Sequence, residues 1–149
     1  MESNGYEGLK LENQLCFPLY ACARQIMNRY TPYLKPLGLT YTQYIVMLVL
    51  WEKDGVTVGE IGRRLLLDTG TVTPLLKKLE GEGYIRRIRN RQDERIVEIV
   101  LTDSGKELRE KARDIPGKIG GCISLEPEEA KALYVILYKL IGEFGGKAE

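Results

Sequence analysis

The chain has 149 residues, 44% of them hydrophobic, with 22 Lys and Arg against 21 Asp and Glu, three cysteines and no histidine. That is enough apolar material for a packed core, which excludes wholesale disorder. Missing histidine excludes histidine-based triads and histidine–zinc sites, and an odd cysteine count argues against a disulfide-stapled secreted domain. No apolar run approaches the roughly 20 residues of a membrane span, so no membrane partner is expected. No CxxC pair, P-loop or glycine-rich dinucleotide fingerprint is present, so neither metal nor cofactor is expected. Met1 to Gly5 lack the basic and apolar segments of an export signal, and the cytoplasm is the expected compartment.

In chain order, residues 1–10 are expected to form a flexible N-terminus. From Leu11 to about Tyr30 the spacing is helical: Leu15, Leu19, Cys22 and Ile26 make one apolar stripe, with Cys16, Tyr20, Ala23 and Met27 beside it. Pro18 costs a helix interior about 3 kcal/mol but little in a first turn, so the regular helix either starts near Leu15 or is kinked. A start near Leu15 puts Cys16 at the helix N-terminus, where the positive end of the dipole favours a thiolate. Cys22 is expected to fill space in the stripe. Thr31-Pro32 and Lys35-Pro36 are expected to interrupt the next segment, which Gly38 closes. Thr40 with Gln43 reads as a capping box. It opens the most apolar helix, Tyr44 to Trp51, which is apolar around nearly its whole circumference and so belongs at the centre of the fold.

Thr57 to Leu101 is the stretch around which the rest is organised. Thr57 with Glu60 reads as a second capping box, followed by Ile61, Leu65 and Leu66 at helical spacing. Asp68 to Pro74 is a turn and the opening of a second helix, which starts at Asp68 or as late as Thr71 because Pro74 fits best in a first turn. Leu75, Leu76 and Leu79 form its buried side, and Gly83 is its expected stop. Tyr84 to Ile88 and Ile96 to Leu101 read as strands, with Val97, Ile99 and Leu101 on one face. Between Lys77 and Arg95 lie seven basic residues (Lys77, Lys78, Arg86, Arg87, Arg89, Arg91, Arg95) and four acidic ones, a local charge of +3 in a chain of net +1. A helix presented by a preceding helix, beside a basic hairpin, suits double-stranded DNA: the helix in the major groove, arginine on phosphate or in the minor groove.

Thr102 caps a further helix running to about Asp114. Ile115 to Cys122 carries a proline and three glycines and reads as a break or loosely held turn. The last helix starts near Glu126-Pro127, and Ala130, Leu133, Leu137, Leu140 and Phe144 recur at the spacing of a helix-pairing seam. The terminal helices have little core of their own, which predicts a homodimer presenting two reading helices to a pseudo-palindromic operator. The expected fold is mainly α with a small antiparallel β wing: a winged helix-turn-helix with helical dimerisation arms. Its divisions are 11–39, a dimerisation and sensor helix region; 40–101, the DNA-binding domain; and 102–145, the C-terminal dimerisation helices.

Thr57 to Leu101, with Asp93-Glu94-Arg95 in the wing, resembles the MarR family of winged-helix regulators. Leu11-Glu12-Asn13-Gln14-Leu15-Cys16-Phe17, then Tyr20, Tyr30 and Gly38-Leu39-Thr40-Tyr41-Thr42-Gln43-Tyr44, resembles its OhrR group, which senses organic hydroperoxides. Asp68-Thr69-Gly70-Thr71 and Thr73 to Lys77 match that group too. The resemblance spans about residues 9 to 144. It implies that Cys16 is the peroxide sensor, that Tyr30 and Tyr41 hydrogen-bond its thiolate, and that Tyr20 lies nearby. A phenol donates to a thiolate without bringing a competing charge. The resemblance also implies that Cys122 is the resolving cysteine, acting on the sensor of the other subunit. For DNA it implies Thr69, Thr71, Thr73 and Lys77 in the major groove. Arg95 braced by Asp93, with Arg89 and Arg91, would reach phosphates or the minor groove, and Lys78 and Arg86 add to the basic face. The expected function is a non-enzymatic repressor released by organic hydroperoxides. The alternatives are a repressor released by a small aromatic ligand, a thiol peroxidase, and a bare protein-binding module.

Overall fold

The computed structural model describes residues 5–145. The expected flexibility of residues 1–10 lies partly outside them; within them, Glu7–Leu9 and Leu11–Asn13 form two 3-10 turns without a buried residue. Helix α1 (Cys16–Leu34) begins where Pro18 demands, with Leu15 at the N-cap and the proline in the first turn. The expected interruption at Pro32 is a correction. The helix runs through it to Leu34, and the break comes at the following 3-10 turn, Lys35–Leu37, closed by Gly38 at φ 70°. Pro32 costs α1 a single ladder bond near its end, where the chain leaves the helix soon afterwards.

Helix α2 (Tyr41–Glu52) has the full capping box: Gln43 N–H donates to Thr40 Oγ at 3.4 Å, and Thr40 N–H to the Gln43 side-chain oxygen at 2.9 Å. Tyr44, Val46, Met47, Val49 and Leu50 are buried, so α2 is the central helix. Strand β1 (Val56–Thr57) leads into α3 (Val58–Leu65). Only half of the second expected box forms. Thr57 Oγ accepts from Glu60 N–H at 3.1 Å, while the Glu60 carboxylate turns to Lys53 at 3.6 Å.

Leu66 ends α3 in the left-handed region, φ 56°, where glycine is the usual residue. Leu67 N–H returns to Gly62 O at 2.9 Å, and a Cβ at Gly62 would stand 2.7 Å from Leu67 O. This tight corner sets α3 against α4 (Thr69–Gly81), the helix-turn-helix. Because Leu66 is exposed, Leu66→Gly is expected to relieve the strain and raise stability by about 0.5–1 kcal/mol in urea unfolding. An unchanged midpoint would show that the corner is unstrained.

Asp68 caps α4 by accepting from Thr71 N–H at 2.7 Å, so the earlier of the two expected starts is the observed one. Pro74 therefore sits in the second turn. At the other end Gly83 (φ 81°) closes a Schellman motif, with Tyr84 N–H on Leu79 O and Gly83 N–H on Glu80 O, both at 3.0 Å. Strands β2 (Ile85–Arg89) and β3 (Val97–Leu101) pair antiparallel, Arg87 opposite Ile99, and β1 adds to the far edge of β3. The two-residue β1 was not legible in the sequence, since a strand that short has no alternation to read.

Helix α5 (Asp103–Ala112) starts from Thr102, whose hydroxyl accepts from Gly105 N–H at 3.1 Å. The expected break after it is instead a short helix, α6 (Ile115–Gly120), with Pro116 in its first turn and Ile115 and Ile119 buried. Its glycines are tolerated because those two isoleucines anchor it to the core. Helix α7 (Pro127–Gly145) is the last. Its seam is laid down as expected, yet no residue from Pro127 to Phe144 is buried. Along α1 only Leu34 is buried. Cys22, expected to fill space, is exposed for this reason.

Candidate functional site

Helix α4 turns Val72, Leu76 and Leu79 into the core. At about 100° per residue, the opposite ridge is Gly70, Pro74, Lys77 and Gly81. Thr69 and Thr71 are exposed at the first turn, and Thr73 is half-buried on the flank. Gly70 and Pro74 thus belong to the outward ridge that sequence reasoning assigned to threonines and lysine. Fixing Asp68 as the cap would have found them. Lys78 leans aside, with Glu82, into a cleft of about 390 Å³ that Tyr30 and Tyr41 also line.

The wing is built by its own polar side chains. Asn90 Oδ1 accepts from Gln92 N–H at 2.8 Å and Asp93 N–H at 3.2 Å, while Asn90 N–H donates to Ile96 O at 2.9 Å. Asn90 was not singled out in the sequence, though an asparagine opening a polar turn is the available signal. Asp93 accepts from Arg95 N–H and Nε, both at 3.1 Å, and from Nη2 at 3.4 Å. These bonds hold the Asp93 carboxyl below its usual range. They aim a guanidinium that is 91% exposed. Arg87 points back to α4, where Glu80 takes Nε at 3.1 Å, Nη2 at 3.0 Å and the backbone N–H at 3.0 Å. The Arg87 guanidinium likewise lowers the Glu80 carboxyl. Helix and wing are thereby joined into one surface. Lys77, Lys78, Arg86, Arg89 and Arg91 are exposed and have no carboxylate within ion-pair distance among the described residues. Such unpaired cations beside an exposed helix are what a phosphate backbone attracts.

The thiols lie on the other side of the architecture. Cys16 is exposed at the first position of α1, where Leu15 supplies no side-chain cap to the free amides. Tyr30 and Tyr41 meet edge to face at 4.9 Å between ring centroids, Tyr44 packs at 5.8 Å from Tyr30, and Trp51 continues the row at 6.4 Å from Tyr44. Burial raises the Tyr30, Tyr41 and Tyr44 phenols above their ordinary value, with neighbouring phenols adding to the last two. All three therefore stay protonated near neutral pH. Tyr20 is exposed under the Arg24 guanidinium, 5.8 Å away.

Within one chain these groups are not brought together. Tyr30 follows Cys16 by fourteen residues on the same helix, about 20 Å along its axis. Cys122 is exposed just past α6, whose Lys118 sits 5.4 Å over the Tyr33 ring near the opposite end of α1 from Cys16. Any contact of Cys16 with Tyr30, Tyr41 or Cys122 needs a second copy.

A family model of the SarA/Rot transcriptional regulators matches residues 28–112. The organic hydroperoxide resistance transcriptional regulator of Bacillus subtilis (strain 168) is 48% identical over 138 residues, 93% of this chain and 94% of that protein. The chain belongs to the organic hydroperoxide resistance group of MarR-type winged-helix regulators. Solved structures of the Staphylococcus epidermidis regulator AbfR are similar as well. Reduced AbfR bound to DNA is 37% identical with a TM-score of 0.77, covering 93% of this chain and 96% of AbfR. Overoxidised AbfR bound to DNA is 38% identical with a TM-score of 0.75, covering 93% and 97%. Disulfide-formed AbfR is 39% identical over 91% and 95%, with a TM-score of 0.64. The backbone described above is thus nearer to the DNA-bound forms of that regulator than to its disulfide form.

Proposed function

We propose that this protein is a cytoplasmic, dimeric transcriptional repressor that releases its operator when an organic hydroperoxide oxidises Cys16. It is a switch rather than an enzyme, since Cys16 reacts once per cycle. The observation that carries the reading is the split within one chain. An exposed thiol stands at one end of α1, its phenol donors at the other, and α1 and α7 leave apolar faces uncovered. Pairing two copies brings Cys16 of one to Tyr30 and Tyr41 of the other and covers the seam from Ala130 to Phe144.

The reaction balances on these residues. The Cys16 thiolate attacks the terminal peroxide oxygen, the S–O bond forms as the O–O bond breaks, and the alkoxide takes a proton and leaves as an alcohol. The Cys122 thiol of the other subunit then attacks the sulfenic acid, forming the disulfide and releasing water. Cα atoms must come within roughly 7 Å for that bond; if the two thiols start further apart, closing it moves α1 against the turn after α6, and with them the spacing of the two α4 helices. That AbfR is found on DNA when overoxidised supports the disulfide, rather than oxygen on the sulfur, as the releasing event. Two equivalents of a cellular thiol reset the switch.

On DNA, Gly70, Pro74 and Lys77 face the major groove, with Thr73 at its edge from the flank and Thr69 and Thr71 at the helix entry. Arg86, Arg89, Arg91 and the braced Arg95 meet phosphates or the minor groove, and Lys78 supplies charge from the flank. Arg95→Ala is expected to weaken operator binding at every operator sequence and to lower the slope of log K against log salt by about one. Fluorescence anisotropy between low and moderate salt measures both. An unchanged slope would remove Arg95 from the phosphate contacts. The second reading, release by a small aromatic ligand, has the cleft between α1, α2 and α4 in its favour, with Tyr30 and Tyr41 in its lining. It predicts release that persists in Cys16→Ser.

A further inference from the structure

The segment before Cys16 is ordered yet has nothing to sit on. Asn13 Nδ2 donates to Glu7 O at 2.8 Å, and Gln14 Nε2 to Gly8 O at 2.7 Å and Lys10 O at 3.0 Å. These bonds fold residues 6–14 into a hook that displays apolar side chains outward: Tyr6 is 71% exposed, Leu9 77%, Leu11 59%. Elsewhere a groove of about 630 Å³ runs between α2, α5 and α6, lined by Tyr44, Leu48, Trp51 and Pro116, with Glu52, Glu110, Arg109 and Arg113 as its charged groups.

We infer that the hook of one copy seats in the α2–α5–α6 groove of the other and forms a wall of the peroxide site. The inference rests on the dimeric reading above. Three observations single out this occupant. The groove begins at Tyr44, which packs against both Tyr30 and Tyr41, so it opens where the other copy's Cys16 must lie. The hook is joined to that Cys16 through Leu15 alone, and it is carried to the groove when the sulfur reaches the phenols. The charges also match: in the groove Glu52 is held by Arg64 at 2.6 Å and Glu110 by Arg113 at 3.9 Å, which leaves Arg109 with no carboxylate within ion-pair distance among the described residues, and on the hook Glu7 is held by Lys10 at 2.7 Å, which leaves Glu12 to meet it. Seated there, Leu9 and Leu11 cover Leu48 and Trp51, and the peroxide's organic group meets an apolar wall that neither copy possesses alone.

Trp51 is the only tryptophan, so it reports the contact directly. In reduced full-length protein, Leu9→Asp with Leu11→Asp is expected to shift Trp51 emission to the red and raise its acrylamide quenching constant. Neither residue is buried within its own chain, so the fold itself is unaffected. A second measurement places Leu11→Cys and Leu48→Cys together in a chain whose three native cysteines are serine, then adds a short bismaleimide. The expected product is a covalent dimer, absent from either single variant. Sedimentation and operator binding are run on the same samples. A dimer that binds operator, yet gives neither the fluorescence change nor the crosslink, overturns the hook while leaving the repressor reading intact. A chain that sediments as a monomer overturns both.

Discussion

Cys16→Ser is expected to bind operator as the reduced wild type does and to stay bound at every organic hydroperoxide concentration that releases the wild type. The substitution replaces sulfur by an oxygen of similar size at a helix start that is exposed within its own chain, so the fold of that chain is kept. A serine hydroxyl is not ionised near neutral pH and does not attack the peroxide bond, so the first step is removed while the DNA surface, α4 and the wing, is untouched. Cys122→Ser is expected to differ in kind: peroxide still oxidises Cys16, but no covalent dimer forms and operator release is impaired. Cys22→Ser is expected to leave the response unchanged, because Cys22 stands six residues from Cys16 on α1 and faces a different direction. Gel shift with non-reducing electrophoresis on the three variants separates these outcomes. Release of Cys16→Ser by stoichiometric peroxide would show that the sensor is elsewhere.

Gly105→Ala is expected to lose about 3 kcal/mol or more of stability, a large effect for one methyl group. Gly105 is buried in the first turn of α5, and a Cβ there would overlap the Tyr84 carbonyl oxygen and meet the Leu101 side chain at 3.2 Å. The Tyr84 carbonyl cannot retreat, because it accepts from Thr102 N–H at 3.1 Å while the Tyr84 hydroxyl donates to Leu37 O at 2.8 Å. The Gly105 carbonyl is also held, by Trp51 Nε1 at 2.9 Å. The end of α4, both wing strands, α2 and α5 all meet at this point, so relief of the clash must move the wing relative to the helix-turn-helix. Operator affinity should fall together with the urea midpoint, and Trp51 emission should change in the native baseline. A midpoint like that of the wild type would mean that α5 can slide away from Tyr84 without cost.

Local polar chemistry was the most legible part of this chain. Thr40, Asp68, Thr102 and Gly83 each mark an element boundary because they satisfy orphan backbone groups with atoms a few residues away. The Asp93–Arg95 brace was expected from the family resemblance of the wing, and the bonds between the two side chains form it. Tertiary effects were not. Pro32 suggested an end to α1 and Pro116 with its glycines a loose turn, but Leu34, Ile115 and Ile119 are buried and packing holds both segments helical. The Glu80–Arg87 clamp and the Trp51–Gly105 bond join residues that only the fold makes neighbours. Cys16, Tyr30, Tyr41 and Cys122 were recognisable one by one. Their arrangement was hidden, since it spans two copies of the chain.

The most direct measurement is the operator affinity of one preparation in three states: reduced, treated with one equivalent of organic hydroperoxide, and then reduced again with a dithiol. Each is also run on a non-reducing gel. The predicted result is tight binding, then loss of binding together with a band of twice the chain mass, then recovery of binding as that band disappears. Binding that ignores the peroxide, with both thiols still free, would contradict the account.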